Sequence, residues 1–168
     1  RHYPSINWMN SYSGYLADIA KWWSENISKD WLDIRSQTYG ILQREDTLKE
    51  IVKLLGPEAL PDEEKLILEV ARMIKIGILQ QNSFDDVDTY CSPEKQFKLM
   101  KLQVDFYNKG QQALKDGASL ADIRSMNVIS LLLKARMDVK DDEMPKLDKI
   151  ETDMIEQFNS VTGVKVQN

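Results

Sequence analysis

The sequence predicts an all-α fold. Three observations carry that prediction. Apolar residues recur at three- and four-residue spacing through almost every long segment, no stretch sustains the period-two alternation of a strand, and the Gly, Pro and Ser punctuation is that of helix ends rather than hairpins. At 168 residues, 42% apolar and 29% charged, the chain has the size and composition of a single domain with one core, and a compact bundle of six to seven helices is expected.

The first helix is expected from about Ser11 to Asn26 and a second from Ser28 to about Leu55. They bring together Trp22, Trp23 and Trp31, which with Trp8 read as core or domain-interface packing rather than a carbohydrate or base platform. Gly56 ends the second helix, the chain turns through Pro57 and Pro61, and the acidic first turn Asp62-Glu63-Glu64 opens a third helix reaching Leu79. From Leu66 onward that helix is apolar nearly all round, which places it at the centre of the bundle.

Residues 80–92 form a polar connection with little periodicity, the first place to look for function. A fourth helix should start at Ser92 as cap with Pro93 in the first position, where a missing N–H costs nothing. Its stripe is Phe97, Met100, Val104, Tyr107, Gln111 and Leu114, a core or interface face, and Gly117 stands just past its end. A short helix from Ser119 to Met126 and a last one around Met144 to Val161 complete the set.

Composition excludes several functions. A net charge of −5 leaves no basic stripe for nucleic acid. No apolar run approaches the roughly 18 residues of a membrane span, so direct membrane insertion is not expected. The only cysteine, Cys91, has no disulfide partner, and the only histidine, His2, is far from it, so neither a metal site nor a Cys/His pair forms, and a reducing cytoplasm fits. There is no glycine-rich phosphate loop, no Ser/His/Asp constellation, and no HExxH or CxxC spacing. The chain alone is not expected to be an enzyme. The carboxylate clusters Asp62-Glu63-Glu64, Asp85-Asp86 and Asp141-Asp142-Glu143 read as solvated charges at helix starts.

Several blocks resemble one family. The run Glu58-Ala59-Leu60-Pro61-Asp62-Glu63-Glu64 is similar to the acidic DELSEED segment of rotary-ATPase catalytic subunits, with Ala59 at an acidic position and Pro61 at the serine. Arg1-His2-Tyr3-Pro4-Ser5-Ile6-Asn7-Trp8 resembles the lead-in to the C-terminal domain of the catalytic A subunit, or alpha chain, of archaeal A-type and V-type rotary ATP synthases. Leu42-Gln43-Arg44-Glu45-Asp46, Leu68-Glu69-Val70-Ala71-Arg72, Gln80-Gln81-Asn82-Ser83-Phe84 and Val87-Asp88-Thr89-Tyr90-Cys91 follow in family order. Together they span roughly the first 110 residues, and the match thins beyond Gly117.

The resemblance implies that residues 1–168 are one helical domain of a larger subunit, with residues 1–10 leading in from a nucleotide-binding domain; a start at Arg1 rather than Met agrees with a fragment. It implies ATP or ADP with Mg bound by a P-loop in the preceding domain, and Phe84, flanked by Gln81 and Asn82, on the adenine side of that site. Glu58, Leu60, Asp62, Glu63 and Glu64 are then the contact with the central stalk. The implied partners are non-catalytic B subunits in an alternating hexamer, the stalk subunits and the chain's own nucleotide-binding domain. The complex would lie on the cytoplasmic face of the membrane, coupling ATP hydrolysis or synthesis to proton or sodium translocation. The competing expectation is a stand-alone helical adaptor whose stripes bind other helices.

Overall fold

The structure is a computed structural model that describes residues 15–80, 84, 85, 87 and 90–163. Among these residues there are seven α-helices and no strand: α1 (Leu16–Asn26), α2 (Trp31–Leu55), α3 (Asp62–Ile74), α4 (Pro93–Lys115), α5 (Leu120–Arg124), α6 (Val128–Asp138) and α7 (Pro145–Thr162). The expected start of α1 at Ser11, the lead-in at residues 1–10 and Trp8 lie outside the described residues.

Helix α3 is the axis of the bundle, packed by α2, α4 and α6. Leu66, Val70, Ala71, Met73 and Ile74 are fully buried in it, but the all-round apolar pattern does not translate into all-round burial: Ile67, Leu68 and Ile78 are half-buried and Ile76 is 36% exposed. It does not run to Leu79 as an unbroken α-helix. From Lys75 the backbone widens into a π turn over Lys75–Leu79, closed by the Gln80 N–H on the Lys75 carbonyl at 2.9 Å. Gly77 sits at the tight point of that turn: an added Cβ would lie 3.1 Å from Gln103 Nε2 and 3.1 Å from the Leu132 carbonyl oxygen.

Helix α4 begins as its sequence requires. Ser92 Oγ accepts the Lys95 N–H at 3.2 Å and Pro93 occupies the first position. It ends in a Schellman closure at Gly117 (φ 94°), where the Ala118 N–H reaches the Ala113 carbonyl at 2.9 Å. Its deepest face is offset from the predicted stripe. Leu99, Leu102, Val104, Phe106, Gly110 and Ala113 are buried, whereas Phe97, Met100, Tyr107, Gln111 and Leu114 sit half-buried on the flank. The reason is that α4 is enclosed by α2, α3, α6 and α7 at once, so its buried arc is wider than a single stripe.

The sequence reading missed α6 as a helix of its own. Asn127 stands at its N-cap position but makes no side-chain cap, and the first N–H, that of Val128, is satisfied instead by Gln157 Oε1 of α7 at 3.0 Å. Its other end is closed from afar as well: the fully buried Lys95 donates Nζ–H to the Arg136 carbonyl at 2.8 Å. A cation on the last-turn carbonyls also complements the helix dipole. The Phe106 and Phe158 rings, 5.2 Å apart, tie α4 to α7.

The tryptophans divide. Trp31 is buried and stacks on Trp23 at 5.2 Å, while Trp22 is half exposed and α1 buries no residue completely. No described helix is long and apolar enough to cross a membrane.

Candidate functional site

Two exposed features sit at the two ends of the α3 segment. At its N-terminal end is the acidic turn. Gly56 (φ 82°) breaks α2, Pro57–Ala59 form one 3₁₀ turn, and Pro61 precedes α3 with its carbonyl accepting the Glu64 and Lys65 N–H groups, both at 3.0 Å. Leu60 is only 5% exposed. It anchors the turn to the bundle and is not available to an outside partner, so the set of candidate contact residues reduces to its carboxylates.

Those carboxylates differ in pairing. Glu58 is exposed yet bonded to Lys65 Nζ at 3.2 Å, and Glu64 pairs with Arg44 of α2. Asp62 and Glu63 are exposed and have no ion-pair partner among the described residues, so they carry the net negative charge of the tip. Two further side chains, in the last turn of α2, are exposed: Leu54 at 82% and Leu55 at 71%. Sequence reasoning passed over both because they continue an apolar helical pattern that elsewhere marks core.

At the other end of the segment the π turn feeds the connection to α4. Phe84 is 95% exposed, so its ring presents apolar area to the outside. Gln81 and Asn82, and with them Asp86, lie outside the described residues. The turn beyond Phe84 is shaped by Asp85, whose carboxylate accepts the Val87 N–H at 2.9 Å. Where the connection re-enters the bundle, the Ser92 N–H donates to Asp141 Oδ1 at 3.2 Å, and Cys91 is half-buried. The root of the connection is held too. Lys75 pairs with the buried Glu45 of α2, and burial keeps the Lys75 ammonium below the usual lysine range against the pull of Glu45. Arg136 donates to the Ile78 carbonyl at 2.9 Å.

Beside the connection a cavity of about 390 Å³ opens between Trp23, Trp31, Leu79, Phe97, Met100 and Arg136. Its walls are mostly apolar, with Arg35 and Gln96 supplying polar edges.

The acidic turn and the connection bearing Phe84 thus lie at opposite ends of the α3 segment and its π turn, in an all-helical bundle. A family model described as the C-terminal domain of V and A type ATP synthase matches residues 20–124, and the chain belongs to that family. It is 46% identical over 167 residues to the A subunit of the A-type ATP synthase of Hyperthermus butylicus, covering 98% of this chain and 28% of that protein. The corresponding protein of Ignicoccus hospitalis is 45% identical over 164 residues, 96% of this chain and 28% of the relative. The V-type ATP synthase alpha chain of Halothermothrix orenii is 39% identical over 159 residues, 95% of this chain and 27% of the relative. The likeness thus runs well past Gly117, where the motif resemblance thins. The chain spans a little over a quarter of the length of these relatives.

Proposed function

We propose that this domain is the mechanical output of a rotary ATP synthase catalytic subunit, moving with a preceding nucleotide-binding domain and pressing its acidic tip on a central stalk. The observation that carries this reading is the likeness, along nearly the whole chain, to the A subunits of A-type ATP synthases. In it, ATP hydrolysis or synthesis takes place in the preceding P-loop domain, which supplies the Mg ligands and phosphate contacts. Rotation driven or received by this domain is coupled to proton or sodium movement. The partners are the chain's own nucleotide-binding domain, non-catalytic B subunits alternating with it in a hexamer, and the stalk, in a complex peripheral to the cytoplasmic face of the membrane.

The architecture suits a lever. A helix of 25 residues, α2, is about 37 Å long, and it reaches from the tryptophan region to the tip while packing along α3 and α4. A dense bundle moves as one body because its core has no room to shear. The connection bearing Phe84 is rooted in the same central helix, so displacement at the loop and displacement at the tip are parts of one motion.

Phe84 is the residue of this chain that fits the nucleotide. Its exposed ring offers a flat face to adenine, an interaction worth on the order of 1–3 kcal/mol. Gln81 and Asn82 are its candidate polar companions on the adenine side. In the full-length protein, Phe84→Ala is expected to weaken ADP binding through the base, read in a fluorescence titration; equal affinities would remove Phe84 from the site. Replacing Glu58, Asp62, Glu63 and Glu64 by alanine together is expected to lower torque and stalk crosslinking. Unchanged torque with unchanged crosslinking would overturn the stalk contact.

A further inference from the structure

Two buried polar side chains flank the π turn that ends the α3 segment, and they are unequally employed. Arg136 of α6, 5% exposed, donates Nη1–H to the Ile78 carbonyl at 2.9 Å. Gln103 of α4 is 1% exposed and faces the residue before it, with Nε2 3.1 Å from where a Cβ of Gly77 would lie. The Oε1 atom of Gln103 has no hydrogen-bond partner among the described residues. A buried carbonyl oxygen without a donor destabilises a fold, and leucine would fill the same space without that cost. In the arrangement seen here, then, the Gln103 carboxamide oxygen does nothing to hold the bundle together.

The turn has a second register within reach. Lys75–Leu79 is closed by the Gln80 N–H on the Lys75 carbonyl, a five-residue span, whereas an α turn covers a similar rise with one residue fewer. Passing from the first register to the second hands one residue to the connection that bears Phe84, which extends its reach by up to about 3.5 Å. It also rotates the Ile78 carbonyl away from Arg136. The released guanidinium N–H then has Gln103 Oε1 as its acceptor, because the two side chains meet consecutive residues of the turn, Gly77 and Ile78. One hydrogen bond from a cation is exchanged for another, so the two registers lie close in energy. Room for the change is at hand. Ile78 and Leu79 line the cavity of about 390 Å³, where a close-packed core would block it.

We infer that Lys75–Leu79 is a two-register element and that Gln103 is its positioning residue: the carboxamide stabilises the α register, in which the Phe84 ring stands further out towards the base. This rests on the adenine reading of Phe84 above and adds what sets the reach of the ring. A base held on Phe84 selects the longer connection, and whatever favours the α register tightens nucleotide binding by the same factor.

The test uses the full-length catalytic protein with its partner subunits, and reads ADP affinity by fluorescence titration and hydrogen exchange at the Gln80 amide by mass spectrometry. In the wild type, saturating ADP is expected to speed exchange at Gln80, whose N–H leaves the Lys75 carbonyl in the α register. Gln103→Leu and Gln103→Met keep nearly the same volume and remove the acceptor. Both are expected to keep Gln80 slow in the presence of ADP and to weaken ADP binding about two- to tenfold, the worth of one hydrogen bond. Their thermal midpoints should stay level or rise, since no bond of the register seen here is lost. Lower midpoints in both variants would show that Gln103 is bonded in this register and would overturn the inference. Phe84→Ala is the parallel arm. If it weakens ADP binding while Gln80 exchange ignores ADP in the wild type, the two-register element is overturned and the adenine reading stands. If Phe84→Ala leaves ADP affinity unchanged while Gln80 responds to ADP only when Gln103 is present, the adenine reading falls and the two-register turn survives it. If neither responds, both fall.

Discussion

Gly110 of α4 lies directly against the side chain of Leu66 in α3: a Cβ added at Gly110 would fall 2.9 Å from Leu66 Cδ2 and 3.3 Å from Cδ1. Leu66 is fully buried, so its isobutyl group has little room to yield. Alanine at this helical position would gain up to about 1 kcal/mol of propensity and lose about 1–3 kcal/mol to overpacking. Gly110→Ala is therefore expected to lower stability slightly in the native background and to raise it in a Leu66→Ala background. A double-mutant cycle by urea unfolding reads the change of sign; additive effects would show that the two residues do not press on each other.

Gly77 poses a harder constraint, because one of the atoms facing it is backbone. The Leu132 carbonyl oxygen, 3.1 Å from the notional Cβ, belongs to α6 and cannot swing aside as a side-chain end can. Gly77→Ala is expected to cost about 1–3 kcal/mol, a fall of about 2–12 °C in thermal midpoint for a domain of this size. An unchanged midpoint by calorimetry would mean that the π turn has slack.

Lys95 is fully buried, and its ammonium meets the Arg136 carbonyl at the end of α6. Lys95→Ala would leave that carbonyl without its buried donor and open a void, for an expected loss of about 2–5 kcal/mol. Lys95→Met keeps the stem volume and removes the charge along with the hydrogen bond, so it should cost less than half as much. Chemical denaturation of the two variants side by side is the check, and equal losses would assign the whole effect to the lost hydrogen bond.

Alkaline pH should loosen the contact between α4 and α7. Burial, the largest single influence on Lys98, pulls its ammonium down, but the hydrogen bond and charge of Glu151, with Asp148 at 3.3 Å, outweigh it and hold it above the usual lysine value. On the neutral Tyr107 phenol burial acts in the opposite sense and pushes it above its usual value. For a folded-state pKa raised above the unfolded one, the stabilising contribution is complete below the unfolded value, 10.5 for lysine and 10.0 for tyrosine, and is lost as pH climbs through the folded value. The thermal midpoint of wild type should thus fall more steeply above about pH 10 than that of Lys98→Met. Parallel pH profiles would remove Lys98 from the alkaline transition.

Much of this molecule is legible without coordinates. The helix ends at Ser92-Pro93, Gly117 and Ser119 are local chemistry, and each closes where its residues dictate: Ser92 Oγ on the Lys95 N–H, and Ser119 Oγ on the Asp122 N–H at 3.1 Å. The central position of α3 follows from the breadth of its apolar face, which leaves only a narrow polar strip at Lys65, Glu69 and Arg72 to turn outward. The tip is legible as a turn and as acidic, but not the internal sorting of its charges. The pairing of Glu64 with Arg44 joins residues twenty apart, and the burial of Leu60 depends on what the turn folds back upon.

What the sequence by itself determined is the helical class, most of the helix boundaries and the family blocks, because these depend on hydrogen bonds and side-chain spacings that close within a few residues. What only the tertiary structure decided is every feature satisfied from a distance. Helix α6 takes its first cap from Gln157, 29 residues away, and its last from Lys95, 41 residues away, so both of its ends are closed by partners that no local reading of residues 127–139 supplies. The apolar stripe of α2 looks uniform along the chain, yet whether a leucine on it is covered depends on the assembled neighbours: Leu48 is fully buried and Leu55, two turns on, is 71% exposed. Burial is a property of the assembled surface, and a linear pattern specifies which face seeks cover without specifying which part of that face finds it.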